Sequence, residues 1–529
     1  MRNFELPGRS PVMARGGMAA TSNPLSTATA VDVLRSGGNA MDAAVAAVAV
    51  QCVVEPMSTG IGGDCFALIG PRDGGVIAFN GSGRAPKAAT ADWYRKAEIT
   101  KIEATTPHAV SVPGAIDAWA RLVADHGSRP FGALLEPAIR YAHDGFPVHP
   151  RCGLDWQSAA ERVSHDAPAK AAYLPGGAPP KIGSVFRLPL LAKTLELIAA
   201  QGRDAFYTGP VAEDMVSHLR ALGGLHAMED FASTQGSYVD PIKTHYRGYD
   251  VYECPPNGQG IIALMMLNIL SGFDLQDMGP LSAERLHLAI EAARLAHRDR
   301  AALLADPEQA KVPVEQMLSA AYAAELRSLI RPGRALENLP PCPLGPHDDT
   351  VYLCVVDGNG MAVSFINSLF NAFGSGIMAP RSGVLLQNRG QGFTLDPRHP
   401  SCIAPGKRPL HTIIPGMLVK DGKAVMPFGV MGGYYQATGH AHVISNLLDF
   451  GMDVQQAIDC PRVFPRMDGN VEIEAGVPGD VADALAKAGH HPVKPGKPVG
   501  GGQAIWIDRA SGVLTGGSDP RKDGCAFGY

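Results

Sequence analysis

Charge is scarce in this chain. Asp, Glu, Lys and Arg make up 18% of its 529 residues, against about 25% in an ordinary globular domain. With 46% hydrophobic residues, that deficit excludes a disordered, solvated chain and points to a large interior. The formal net charge is −5, and no basic run interleaved with aromatics occurs, so nucleic acid has no electrostatic footprint to bind. Aromatic residues are only 6%. Cysteine is present but unpaired in pattern: nine residues, widely scattered, without a CxxC. That excludes a zinc ribbon and a disulfide framework, and free thiols in a reducing compartment are expected. Long hydrophobic runs are missing too. The most apolar stretch, 40–54, is shorter than a membrane span and contains Asp42, so a buried helix is expected. The N-terminus lacks the apolar region of a secretory signal, and the expectation is a soluble, cytoplasmic protein. HExxH, GxxxxGK[ST], GxSxG and a helix-opening GxGxxG are all absent. GHAH (439–442) spaces its histidines i, i+2, which point apart on a helix, so no metal site is read there.

What is abundant is glycine (61) and proline (43), spread along the chain as turns between short elements. Helices are expected at 27–35 and 40–53, then a glycine loop at 58–64 and a hairpin of strands at 65–70 and 74–83. The middle is helical, at 188–200, 260–270, 282–304 (Ser282 as N-cap) and 314–330. Residues 331–349 hold five prolines in 19 residues and form an exposed connector. Strands follow at 350–357, 361–370, 383–388, 412–419 and 423–430, helices near 436–449 and 478–489, and a last hairpin at 503–519. Helices layered on antiparallel sheets, an α+β fold, is the expectation.

Thr350 opens a strand directly after the connector and after Asp348 and Asp349. A threonine hydroxyl needs a nearby base to act as a nucleophile. A free α-amine is one, with a pKa of about 7.7–8.0, and covalent geometry holds it beside its own hydroxyl. That amine exists only if the Asp349–Thr350 bond has been cut, and the hydroxyl can make the cut by attacking the preceding carbonyl. A lone threonine says little; a second element adds to it. GVMGGYYQATGHA (429–441) places a glycine pair between a strand and a helix, where backbone N–H groups can hold an oxyanion.

Several blocks, in order and almost end to end, resemble the γ-glutamyltransferase family of N-terminal-nucleophile hydrolases. They are GMAATSNPLSTATAVDVLRSGGNAMDAAVAA, DTVYLCVVDGNGMAVSFINSLFNAFGSGI (349–377), PGKRPLHTIIPGMLVKDG (405–422), FGVMGG (428–433) and the ending GGSDPRKDG…GY. The resemblance implies a four-layer αββα sandwich. It implies cleavage between Asp349 and Thr350 into a large subunit (1–349) and a small one (350–529), paired as one structural domain, with a dimer of such pairs as an option. It implies Thr350 as nucleophile and amine base, Gly432 and Gly433 as the oxyanion hole, and Ser368 as a second hydroxyl supporting the new N-terminus. No metal or organic cofactor is implied, and the partner is a small-molecule amide.

The chain departs from the family where the substrate's charges bind. The family pairs an α-carboxylate with arginine and an α-ammonium with an acid. Here the acid's position is Gly392, the amide before it is Arg389, an asparagine becomes Phe370, a serine pair becomes His411 and Thr412, and the arginine aligns with Ser82, two residues from Arg84. Groups for an ammonium are gone. Cations for a carboxylate remain in Arg84, Arg389 and, as a third candidate, His411, although His411 reads more simply as a hydrogen-bonded structural residue. A carboxylated amide without an α-amine fits, as in the oxamate amidohydrolase branch. The alternatives are a γ-glutamyl hydrolase or transpeptidase acting on glutathione, an acylase for bulkier groups, and an unprocessed binding protein on the same scaffold.

Overall fold

The computed structural model describes residues 8–337, 339, 350–466 and 468–529. Asp349 and most of the proline-rich connector lie outside the described residues.

Local chemistry explains the elements closest to the site. The helix Ala40–Val54 is buried on every side, as expected of one apolar all round. Its one acid, Asp42, belongs to the cap: Asn39 accepts from the Asp42 N–H, and the Asp42 carboxylate accepts from the Asn39 N–H at 2.9 Å. Ser282 caps the helix Ala283–Leu303 through the Arg285 N–H. Gly260–Leu270 is a second helix buried nearly all round.

Two seven-stranded sheets form the centre. The first runs Val12–Ala14, Leu514–Ser518, Gly501–Ile507, Lys423–Met431, Gly416–Lys420, Tyr249–Glu253, Ile242–Tyr246. The second runs Cys525–Gly528, Gly17–Thr21, Val351–Asp357, Ala362–Ser368, Asp64–Gly70, Ile77–Gly81, Ser237–Val239. Neighbours within both are antiparallel. Side chains alternate across each strand. Tyr352, Cys354, Phe66, Leu68 and Ile366 face Met417 and Ile505 between the sheets. Val351, Leu353, Val355, Val363 and Phe365 face helix Ala40–Val54. On the far side Leu418, Met426 and Phe428 pack under Gly260–Leu270, Ala283–Leu303 and Tyr435–Leu448. The order is helix, sheet, sheet, helix: the four-layer αββα sandwich.

Strands from both sides of residue 350 interleave in both sheets. Val351–Asp357 lies between Gly17–Thr21 and Ala362–Ser368, so the segments before and after Thr350 share one core.

Three expected elements differ. The 314–330 helix is two, Val314–Met317 and Ala320–Leu329, because Ser319 caps the second through the Tyr322 N–H. The apolar run 383–388 is not a sheet strand. Its backbone meets loops, with Leu386 bridging Gly62 and Leu385 bridging Met378, while its side chains fill the helix-side core. The expected run 412–419 starts four residues late as the strand Gly416–Lys420, since the Ile414 N–H goes to Gln436 instead of a neighbouring strand. The described cysteines are all free thiols. Among the described residues no helix is long and apolar enough to cross a membrane.

Candidate active site

Thr350 stands at the foot of the strand Val351–Asp357, opposite the end of Ala362–Ser368, and is 1% exposed. Its Oγ1 is 3.0 Å from Ser368 Oγ. Ser368 Oγ also receives the Phe370 N–H at 2.9 Å and Arg389 Nη2 at 3.3 Å. A hydroxyl accepts two hydrogen bonds and donates one. With both acceptor positions taken, Ser368 donates to Thr350, which leaves the Thr350 proton free for a base. The Ser368–Phe370 bond also ends the strand: Phe370 takes φ +82°, a left-handed conformation that costs a non-glycine residue about 1–3 kcal/mol and gathers at functional sites.

The Phe370 ring lies 4.1 Å from the Arg389 guanidinium, a cation–π contact. Arg389 is fully buried on the short 3₁₀ turn Arg389–Gly392. Its Nη1 donates to Thr412 Oγ1 at 2.7 Å, and its Nε has no partner. No carboxylate bonds to it among the described residues. Burial lowers its pKa to about 9, opposed by the field of Asp64, so it stays charged at neutral pH.

Asp64 is itself fully engaged. It accepts from the Gly83 and Gly114 N–H groups and Gln387 Nε2 on one oxygen, and from His411 Nε2 at 3.0 Å on the other. His411 is buried, and burial together with Arg389 lowers its pKa to about 3. It is a neutral imidazole donating to Asp64, so it is not a cation for a substrate carboxylate. Arg84 belongs to a different cluster: its guanidinium meets Glu308, Asp306 and the Gly406 carbonyl and is partly exposed. Ser82 bonds Asn80, Asn257 and Arg408.

Gly432 and Gly433 join the strand Lys423–Met431 to the helix Tyr435–Leu448, with φ +119° and +53°. A side chain on Gly432 would come within 2.9 Å of the Gly500 Cα, which backbone cannot yield. Their carbonyls are held, Gly432 by the Tyr435 N–H and Gly433 by Gln259 Nε2 at 2.9 Å. Their own N–H groups find no acceptor among the described residues. Gln259 also donates to the Thr412 carbonyl at 2.8 Å and accepts from Arg300 Nη1. A single network therefore runs Thr350–Ser368–Arg389–Thr412–Gln259–Gly433. At Gly392, an added side chain would meet the Leu410 carbonyl at 3.0 Å; an acid there would be crowded against an oxygen.

Gln259 and Asp64 were not legible as site residues. Gln259 follows PPNG, which reads as a turn. Asp64 did carry a signal: an acid opening an apolar strand must be bonded if buried.

The Gamma-glutamyltranspeptidase family model matches residues 26–529. The glutathione hydrolase-like YwrD proenzyme of Bacillus subtilis (strain 168) is 38% identical over 505 residues, covering 94% of this chain and 95% of that one. The acylase ACY 1 proenzyme of Pseudomonas sp. (strain V22) is 35% identical over 526 residues, covering 98% and 94%. The oxamate amidohydrolase proenzyme of Klebsiella pneumoniae subsp. pneumoniae is 34% identical over 530 residues, covering 97% and 98%. The crystal structure of cephalosporin acylase from Bacillus halodurans superposes with a TM-score of 0.93 at 40% identity, covering 100% of this chain and 99% of that one. Fold and family agree along the whole length: the chain belongs to the γ-glutamyltranspeptidase family and is an N-terminal-nucleophile amidohydrolase.

Proposed function

We propose that this enzyme cuts itself between Asp349 and Thr350 and then hydrolyses the amide of a small carboxylated substrate that has no α-amine, oxamate being the simplest. In processing, Thr350 Oγ1 attacks the Asp349 carbonyl, the C–N bond breaks to give an ester and free the Thr350 amine, and water then hydrolyses the ester, releasing the Asp349 carboxylate and restoring the Thr350 hydroxyl. In turnover that amine takes the Oγ1 proton as Oγ1 bonds to the amide carbon. The Gly432 and Gly433 N–H groups receive the oxyanion. The amine returns the proton to the leaving nitrogen, the C–N bond breaks, ammonia departs, and water hydrolyses the acyl-enzyme.

One observation carries the substrate class: Arg389 is a buried guanidinium without a carboxylate partner, two hydrogen-bond lengths from the nucleophile. A buried cation is costly unless paired, so it is poised for a substrate anion. The short span supports a carboxylate only a few bonds from the scissile carbonyl. A second reading, an acylase for a longer carboxylated acyl group, is favoured by the likeness to cephalosporin acylase and uses the same Arg389. A γ-glutamyl substrate needs an acid for its ammonium, and Gly392 offers none.

The test has two parts. Purified protein should show two bands on a denaturing gel, and Thr350→Ala a single band near 55.6 kDa. The processed enzyme should release ammonia from oxamate faster than p-nitroaniline from a γ-glutamyl anilide. No ammonia from oxamate, with rapid cleavage of a glutaryl amide, would move the assignment to the acylase. A faster γ-glutamyl reaction would overturn the role given to Arg389.

A further inference from the structure

A second buried cluster sits on the other helical layer, away from the Thr350 network. His287 and Glu291 lie four residues apart on one face of the helix Ala283–Leu303. His490 reaches them from the turn after the helix Gly479–Lys487, where Gly489 has φ +98°. All three are buried, and one ligand atom from each lies within 4.8 Å of the others. His287 Nδ1 and His490 Nε2 are 2.8 Å apart.

The tautomers follow from the partners. His287 Nε2 faces the Arg331 carbonyl at 2.9 Å, so it carries the proton and Nδ1 presents a lone pair. His490 Nε2–H therefore donates to it. Glu291 Oε2 accepts the Leu336 N–H at 3.0 Å, and Oε1 accepts Arg294 Nη1 at 2.7 Å. His490 Nδ1 stands 3.8 Å from the same Oε1.

We propose that His287 Nδ1, His490 Nε2 and the Glu291 carboxylate bind one divalent cation, Zn²⁺ by donor type, as a structural site separate from catalysis. Two imidazoles and a carboxylate are a zinc donor set. A backbone carbonyl on the far nitrogen of His287 is the outer contact that orients a ligating imidazole. A cavity of about 320 Å³, lined by His490, Arg294 and Leu336 among others, gives an entry path and room for a water as fourth ligand. On binding, the His490 proton moves from Nε2 to Nδ1, facing Glu291. The two ligating nitrogens part to about 3.3 Å for tetrahedral geometry. Arg294, on the cavity wall, competes with the cation for Oε1 and must turn aside. Because Arg331 and Leu336 both bond to this cluster, the ion would clamp the first residues of the proline-rich connector. The site does not depend on the substrate assigned above.

The experiment titrates Zn²⁺ alone into full-length protein purified without chelator, by calorimetry, with metal content read by mass spectrometry and Co²⁺ substitution read by visible d–d absorption. One ion per chain is expected, bound equally by the Thr350→Ala chain. Glu291→Gln, which keeps size and the Leu336 bond, and His490→Ala should each weaken binding about 10-fold or more. Arg294→Ala should tighten it. No binding, or one-ion binding unchanged in both Glu291→Gln and His490→Ala, would overturn the proposal and leave the three residues as a hydrogen-bonded core cluster. Weaker binding by Arg294→Ala would count against the competition between Arg294 and the cation.

Discussion

Two fully buried arginines in this molecule are treated in opposite ways. Arg462 carries its own anion: Asp519 at 2.5 Å, with the carbonyl of Ile458 as a further acceptor, while Arg521 bridges Asp519 to Glu474. Arg389 has hydroxyls and an aromatic face but no carboxylate among the described residues. The first arginine closes a structural junction between the C-terminal strands and the helix Val454–Asp459. The second stands one hydroxyl away from Thr350 with no carboxylate bonded to it among the described residues. A buried charge that the fold pairs is a structural feature, whereas one the fold leaves unpaired is set up for something that arrives.

Variants can break or sharpen this contrast. Folding is best measured on the uncleaved Thr350→Ala chain, where unfolding involves one polypeptide. The largest effect is expected from Arg462→Met, which takes one of the two arginines from Asp519 and one donor from the Ile458 carbonyl; it should cost about 2–3 kcal/mol in urea denaturation, with substrate selectivity unchanged. Arg389→Met should do the reverse. Stability should hold within about 1 kcal/mol, while kcat/KM for a carboxylated amide falls about 10- to 100-fold, the worth of a charge-assisted bond. If both variants lose stability alike and neither alters selectivity, the contrast is wrong.

A pH effect is next. The folded His411 titrates at about 3, below its ordinary 6.5. Its contribution to stability is present above pH 6.5 and is lost as pH falls toward 3, since the unfolded chain takes up the proton first. Chemical denaturation between those values should lose up to about 1.4 kcal/mol per pH unit from this one group. His411→Gln, which keeps a donor for Asp64, should flatten that slope. The smallest effect is expected from Thr412→Val. It removes one of the two hydroxyls holding Arg389, worth about 1 kcal/mol, or about fivefold in kcat/KM for the carboxylated amide, with less change for a neutral amide.

Much of this was legible residue by residue. The strand after Thr350, the buried helices at 40 and 260 and the glycine pair at 432 follow from period, caps and turn chemistry, which are local. The run 383–388 was not legible, because an apolar stretch looks the same whether its backbone meets a strand or a loop, and only the partners at Gly62 and Met378 decide. The break at Ser319 was missed because a helix N-cap inside a continuous helical pattern looks like any polar residue on an exposed face. At the site, sequence offered Arg84 and Arg389 as cations without ranking them, and His411 as a third candidate that read more simply as a structural histidine. Their neighbours come from elements hundreds of residues apart in some cases: Glu308 for Arg84, Asp64 for His411, Ser368 and Thr412 for Arg389.

By itself the sequence determined the class of chemistry, a threonine opening a strand behind a proline-rich connector, and a glycine at 392 in place of an acid. Those are identities and local order, which the chain carries before it folds. Tertiary structure decided which of the candidate cations has no carboxylate bonded to it. Pairing and desolvation depend on what packs against a group, and packing sent Arg84 to an acid, held His411 neutral beside Asp64, and gave Arg389 hydroxyls and an aromatic face in place of a carboxylate.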